Sequence, residues 1–137
     1  MTDKIWSLKK ADNEFSKYIR ARDGRCMNPR CQRRGDNDVK YMQCSHFWSR
    51  DIWPLRFNLD NCDTAHPGCH AYKWENNKQG DYQDYMIAKL GLRKFNKLRK
   101  TALDYRHGKI TTSHRAEIIK AMKFLKHHVK TKVLRDN

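Results

Sequence analysis

The chain has no apolar run approaching the length of a membrane span, which excludes a transmembrane helix. Met1 to Lys10 mixes lysines with acidic and polar residues and has no apolar core of signal-peptide length. A reduced, cytoplasmic compartment is therefore expected, where cysteines bind metal in preference to forming disulfides. No internal repeat or low-complexity segment stands out in the 137 residues, a length that suits one domain with a helical annex. Apolar residues are scarce, at 38% against 33% charged, so the core is thin and a metal staple would help its central part. Acidic residues are scarcer still: 15, against 30 Lys and Arg, for a net charge of +15. A charge that large concerns partners rather than fold, and nucleic acid is the first acidic partner to consider. A merely soluble basic surface is the competing reading.

The apolar pattern is mostly helical. Ile5, Leu8, Phe15 and Ile19 recur at helical spacing over 5–22, Ser7 is placed to cap the start, and Asp23-Gly24 ends the run. Val39 to Phe47 has strand-like composition, and a loop with a short strand is expected near Leu55–Phe57. A helix is expected from about Gly68 to Asn77, broken at Gly80. Tyr82, Tyr85, Met86 and Leu90 form one helical stripe closed by Gly91; Leu92, Phe95, Leu98 and Ala102 form another. His107-Gly108 is a turn, and Ser113 can cap a last helix carrying Ile118, Ile119, Met122, Leu125 and Val129. That helix could serve a dimer or grip DNA. From Gly91 onward there are 14 Lys or Arg against 3 Asp or Glu, so +11 of the +15 lies in the last third. This suggests a DNA-gripping arm, beside the plainer reading of a solvated helix face.

Five cysteines, Cys26, Cys31, Cys44, Cys62 and Cys69, lie in the central part. Structural zinc takes four soft or borderline ligands, often from two short loops brought together by the fold. Cys26-x4-Cys31 is one such loop. His66-Pro-Gly-Cys69 is the preferred second, with knuckle spacing and a tight Pro67-Gly68 turn. The competing set replaces His66 by Cys62, and a third places His70 at the zinc. On the preferred set Cys62 and Cys44 are small buried hydrophobes.

The segment Asn61-Cys62-Asp63-Thr64-Ala65-His66-Pro67-Gly68-Cys69-His70-Ala71-Tyr72-Lys73 resembles the final segment of HNH nucleases, Asn-Leu-x-x-x-Cys-x-x-Cys-His-x-x-Lys, without a gap. Cys62 stands at the leucine position and His66 at the first cysteine, which independently favours His66 as a zinc ligand. Within that superfamily the chain looks most like the phage NinG (Rap) recombination nucleases, over roughly residues 15 to 95. Cys44-Ser-His46-Phe-Trp-Ser-Arg50, Leu55-Arg-Phe57, Asp60-Asn61-Cys62, Gly80-Asp-Tyr82 and Leu90-Gly91 carry the likeness.

The resemblance implies an α+β fold: a small zinc-bound ββα-metal core at 26–78, an N-terminal helix at 1–25 and basic C-terminal helices at 79–137. It implies a metal-dependent DNA endonuclease; a zinc-containing DNA-binding module without catalysis and an HNH nicking nuclease with another DNA substrate are the competing readings. His46 would be the general base, Asn61 would hold the His46 loop, and His70 would bind the single catalytic divalent metal, Mg²⁺ or Mn²⁺. Arg50, Arg56 and Lys73 are candidate phosphate contacts. Branched DNA such as a Holliday junction is the implied substrate, in a phage- or prophage-encoded protein of the bacterial cytoplasm. Paired cuts on a two-fold junction would favour a homodimer.

The chain departs from the pattern at three places. Gln43 stands where NinG-type proteins often have an acidic ligand, Ser45 where other HNH enzymes have Asp or His, and His70 where NinG-type proteins tend to have Asn. Neither Gln nor Ser is a strong Mg²⁺ ligand, so the metal site would rest on His70, phosphate oxygens and water. Each residue also has a plainer role. His46 could be a hydrogen-bonded structural histidine, and His107, His114, His127 and His128 surface residues. Trp6, Trp48, Trp53 and Trp74 suit core packing, with base stacking as a second role for Trp48 or Trp53.

Overall fold

A computed structural model describes residues 4–31, 38–69 and 80–136, the last eight of these as backbone only. The described chain is α+β, mostly helical, with one small antiparallel sheet. Helix α1 spans Leu8–Asp23. The Ser7 Oγ accepts a hydrogen bond from the Lys10 amide at 3.1 Å, which satisfies one of the donors a helix start leaves unpaired. Gly24 closes the helix at φ 69°, a left-handed conformation that glycine takes without a Cβ penalty. Ala11, Phe15 and Ile19 are the buried stripe.

Strands β1 (Gln43–His46) and β2 (Cys62–Ala65) pair with Gln43 opposite Ala65 and His46 opposite Cys62. All four β2 residues are buried. Helix α1 grips this sheet through polar ties. Arg22 donates from Nη2 to the Cys62 carbonyl and from Nη1 to the Leu59 carbonyl, both at 2.8 Å. The Thr64 amide donates to Asp23 Oδ2 at 2.8 Å, and the Thr64 hydroxyl to the Ile19 carbonyl at 3.2 Å.

The strand expected over Val39–Phe47 is shorter than its composition suggests. Val39–Tyr41 forms a 3-10 turn because the Asp38 side chain accepts from the Lys40 amide and Arg20 Nη1 donates to the Val39 and Lys40 carbonyls. Those carbonyls are then unavailable to a ladder. The strand expected near Leu55–Phe57 is a helical turn, α2 (Trp53–Arg56), with Pro54 in its first turn where a missing N–H costs nothing.

Helices α3 (Asp81–Leu90), α4 (Leu92–Arg106) and α5 (His114–Asp136) complete the described chain; of the expected stripes Tyr82, Met86, Phe95, Ala102, Met122 and Leu125 are buried, whereas Leu92, at the first turn of α4, is exposed. Gly91, at φ 82°, separates α3 from α4. The Ser113 Oγ accepts from the Ala116 amide at 3.2 Å and starts α5. Two cores result. Trp48, Ile52, Leu55, Met86 and Phe95 centre one, beneath α3 and α4. Phe15, Ile19, Cys62 and Leu125 centre the other, between α1, β2 and α5. The apolar stripe of α5 is thus used within the chain: Met122 and Leu125 are buried, and Phe124 packs edge-on against Tyr18 at 5.4 Å. Among the described residues no helix is long and apolar enough to cross a membrane.

Candidate metal centre and cleft

The loop after α1 and the turn after β2 are held together before any metal is considered. The Met27 amide donates to the Thr64 carbonyl at 2.8 Å, and the Cys31 amide to the Asn28 carbonyl at 3.0 Å. This brings Cys26, Cys31, His66 and Cys69 into one buried group whose ligand atoms all lie within 4.8 Å of one another. Cys31 Sγ is 3.2 Å from His66 Nδ1, and the His66 amide donates to Cys26 Sγ at 3.4 Å. Tetrahedral zinc with bonds of about 2.3 Å separates its sulfur ligands by about 3.8 Å, so this donor set fits a metal ion such as zinc with little rearrangement. Cys62 belongs to the second core, at the far end of β2, and is not one of these four.

Burial, with Cys31 and Cys26 beside it, pushes the Cys69 thiol up to about 12, and burial raises Cys26 also. Without a cation this pocket favours protonated thiols. A bound cation would reverse that preference, because thiolate is the ligating form.

His46 ends β1 at the wall of an open cleft of about 990 Å³, which Asp12 and Ser16 of α1, Gln43, Arg50 and Arg106 also line. Its Nε2 lies 2.9 Å from the Arg56 carbonyl oxygen. A carbonyl only accepts, so Nε2 carries the proton and Nδ1 the lone pair. Burial holds the imidazole down at about 4, and the neighbouring cations of Arg50 and Arg56 add to the effect. His46 is neutral at physiological pH.

Asn61 is fully buried between the ends of the loop that follows His46. Its Oδ1 accepts from the Trp48 amide at 2.9 Å; its Nδ2 donates to the Trp48 and Leu55 carbonyls at 3.0 and 3.1 Å. The Phe47 amide also donates to the Asn61 carbonyl at 2.9 Å. These bonds tie Asn61 to the loop after His46 from within the protein.

Of the candidate phosphate contacts, Arg50 and Arg56 differ sharply. Arg50 is exposed and lines the cleft, 3.9 Å from Asp12 Oδ2. Arg56 is buried, with Nε and Nη2 on the two Asp12 oxygens at 3.0 and 2.6 Å, Nη1 on the Arg50 carbonyl at 3.2 Å, and its guanidinium over the Trp53 ring. Each of its three nitrogens thus donates a hydrogen bond inside the protein. His70 and Lys73 lie outside the described residues.

Three features escaped the sequence reading. Asp12 sits on α1 with no motif around it, and only the fold carries it to Arg56 and the cleft. Asp63 is buried on β2 and held by Lys89 Nζ at 2.9 and 3.0 Å and by the Tyr85 hydroxyl at 2.9 Å, which pins α3 to the sheet. Cys44, His46 and Cys62 form a second close group. No family model, curated protein or solved structure matches the chain.

Proposed function

We propose that this chain is a metal-dependent DNA endonuclease of the HNH type, acting on branched recombination intermediates such as Holliday junctions. The observation that carries the reading is His46: a neutral imidazole at a cleft wall, with exposed Arg50 on the same wall and Asn61 bracing the loop between them. A general base must meet its substrate unprotonated, and burial secures that here. Arg50 holds a phosphate through charge-assisted hydrogen bonds. A bound phosphate anion offsets the Arg50 charge that helps to depress the His46 basicity, so substrate binding strengthens the base that takes the proton from water. Asn61 is a positioning residue. The zinc held by Cys26, Cys31, His66 and Cys69 is structural and fixes the turn that leads to His70. A divalent Mg²⁺ or Mn²⁺, with His70 as its ligand from this chain, supplies charge stabilisation at the scissile phosphate when bound. The basic surface of α4 and α5 supplies the electrostatic grip on DNA, and a homodimer would present the paired sites that a two-fold junction needs.

A zinc-containing DNA-binding module without catalysis is the second reading. The observation favouring it is that Gln43 and Ser45, which stand in β1 three residues and one residue before His46, are weak Mg²⁺ ligands. The deciding assay incubates wild type and His46→Ala with a labelled four-way junction and a matched linear duplex, in Mg²⁺ or Mn²⁺. Junction cutting that vanishes in the variant supports the nuclease. Binding without cutting by wild type supports the module, and equal cutting of both DNAs discards junction selectivity.

A further inference from the structure

Cys44 and Cys62 belong neither to the four-donor centre nor to the proposed nuclease machinery. The strand register sets His46 opposite Cys62 and Cys44 opposite Thr64. Alternate residues of a strand share a face, so Cys44, His46 and Cys62 stand together on the face that packs towards Phe15 and Ile19 of α1. One ligand atom of each lies within 4.8 Å of the other two.

A disulfide does not explain this closeness. Cys44 and Cys62 are diagonal neighbours across the pair, a relation that separates Cα atoms by about 7–8 Å. Disulfides rarely span more than about 7 Å. The two thiols are therefore held near each other without being poised to bridge. His46 completes a ligand set. Its Nε2–H is committed to the Arg56 carbonyl and its lone pair is on Nδ1. Metal-ligating histidines are oriented in this way, by donating their other ring N–H to a carbonyl or carboxylate. Access exists too: Cys62 is fully buried, but Cys44 and His46 line the open cleft.

We propose that Cys44 Sγ, Cys62 Sγ and His46 Nδ1 form a second metal site, distinct from the four-donor centre, for a thiophilic d¹⁰ cation such as Zn²⁺ or Cd²⁺. Two thiolates and an imidazole are soft or borderline donors that suit such an ion and reject Mg²⁺. A water from the cleft completes a tetrahedron. Binding displaces the two thiol protons to solvent. On the nuclease reading, the ion also occupies the lone pair of the general base and stops cleavage.

The test counts metal on the full chain by native mass spectrometry during a Cd²⁺ titration, alongside the sulfur-to-cadmium charge-transfer absorbance. Wild type is expected to take two ions per chain. Cys44→Ser, a small change at a half-buried position, is expected to take one, with unchanged far-UV circular dichroism. His46→Gln should weaken the second ion roughly tenfold or more and leave the first unmoved. A wild-type protein that takes a single ion, still present in Cys44→Ser, overturns the second site. The count needs no DNA, so the failure of this site and the failure of the nuclease reading are separate results.

Discussion

Asn61 and Trp48 exchange two hydrogen bonds: the Asn61 Oδ1 accepts from the Trp48 amide at 2.9 Å, and the Asn61 Nδ2 donates to the Trp48 carbonyl at 3.0 Å. A carboxamide mimics a backbone partner here and ties off a loop that has no strand to pair with. Truncation to Asn61→Ala leaves the buried Trp48 amide and the Trp48 carbonyl short of a partner, while the Leu55 carbonyl keeps the Asn58 amide at 3.3 Å. The expected loss is about 2–4 kcal/mol, read from urea unfolding midpoints. A loss below about 0.5 kcal/mol would show that water or relaxation replaces Asn61.

Arg50 and Arg56 look alike in sequence but separate in the fold, and their substitutions should separate too. Arg56→Ala strands the Asp12 carboxylate, which is only partly exposed, and should cost about 3 kcal/mol of stability. Arg50→Ala touches an exposed side chain and should leave stability within about 0.5 kcal/mol. It should weaken DNA binding and lower the slope of log affinity against log salt by about 1, as removal of one phosphate contact does. Fluorescence anisotropy at several salt concentrations reads this slope. An unchanged slope would remove Arg50 from the DNA surface.

The four-donor centre makes a choice between His66 and Cys62 that metal content can check. His66→Ala should emerge from purification without its zinc, whereas His66→Cys should retain it, since thiolate serves as well as imidazole at a tetrahedral site. Chelation of wild-type protein should lower its thermal midpoint, because a metal bound by all four donors ties the loop at Cys26–Cys31 to the turn at His66–Cys69. Full zinc retention by His66→Ala would mean that another donor takes its place.

Local signals were legible from sequence where they act locally. Ser7 and Ser113 cap the helices that follow them, Gly24 and Gly91 end the runs before them, and Tyr82, Met86, Phe95, Ala102, Met122 and Leu125 are buried where the apolar spacing puts them, although Leu92 is exposed. The preferred ligand set of Cys26, Cys31, His66 and Cys69 also converges. What stayed hidden depends on distant partners. Val39–Tyr41 looked like strand until Arg20 drew its carbonyls away. Leu55 looked extended, but Pro54 starts a helical turn. β2 carries no alternation of apolar and polar residues, because Asp63 and Thr64 are buried with hydrogen-bond partners supplied by α1 and α3. Arg56 looked like a phosphate ligand because nothing in sequence ties it to Asp12, which stands 44 residues away.

The buried imidazole of His46 makes stability depend on pH in a defined direction. In the folded protein it stays neutral down to about 4, while its ordinary value is 6.5. Between those values the unfolded chain binds a proton that the folded chain refuses, so stability falls as pH drops through this window and is level above it. From about pH 7 to about pH 5 the loss from this one group is about 2 kcal/mol. His46→Gln removes the titrating ring and should lose less over the same interval, whatever the carboxylates contribute to both proteins. Urea midpoints of the two proteins at the two pH values give the difference directly. Equal losses would mean that His46 is solvated in the folded state, and its neutrality would then no longer support its assignment as the base.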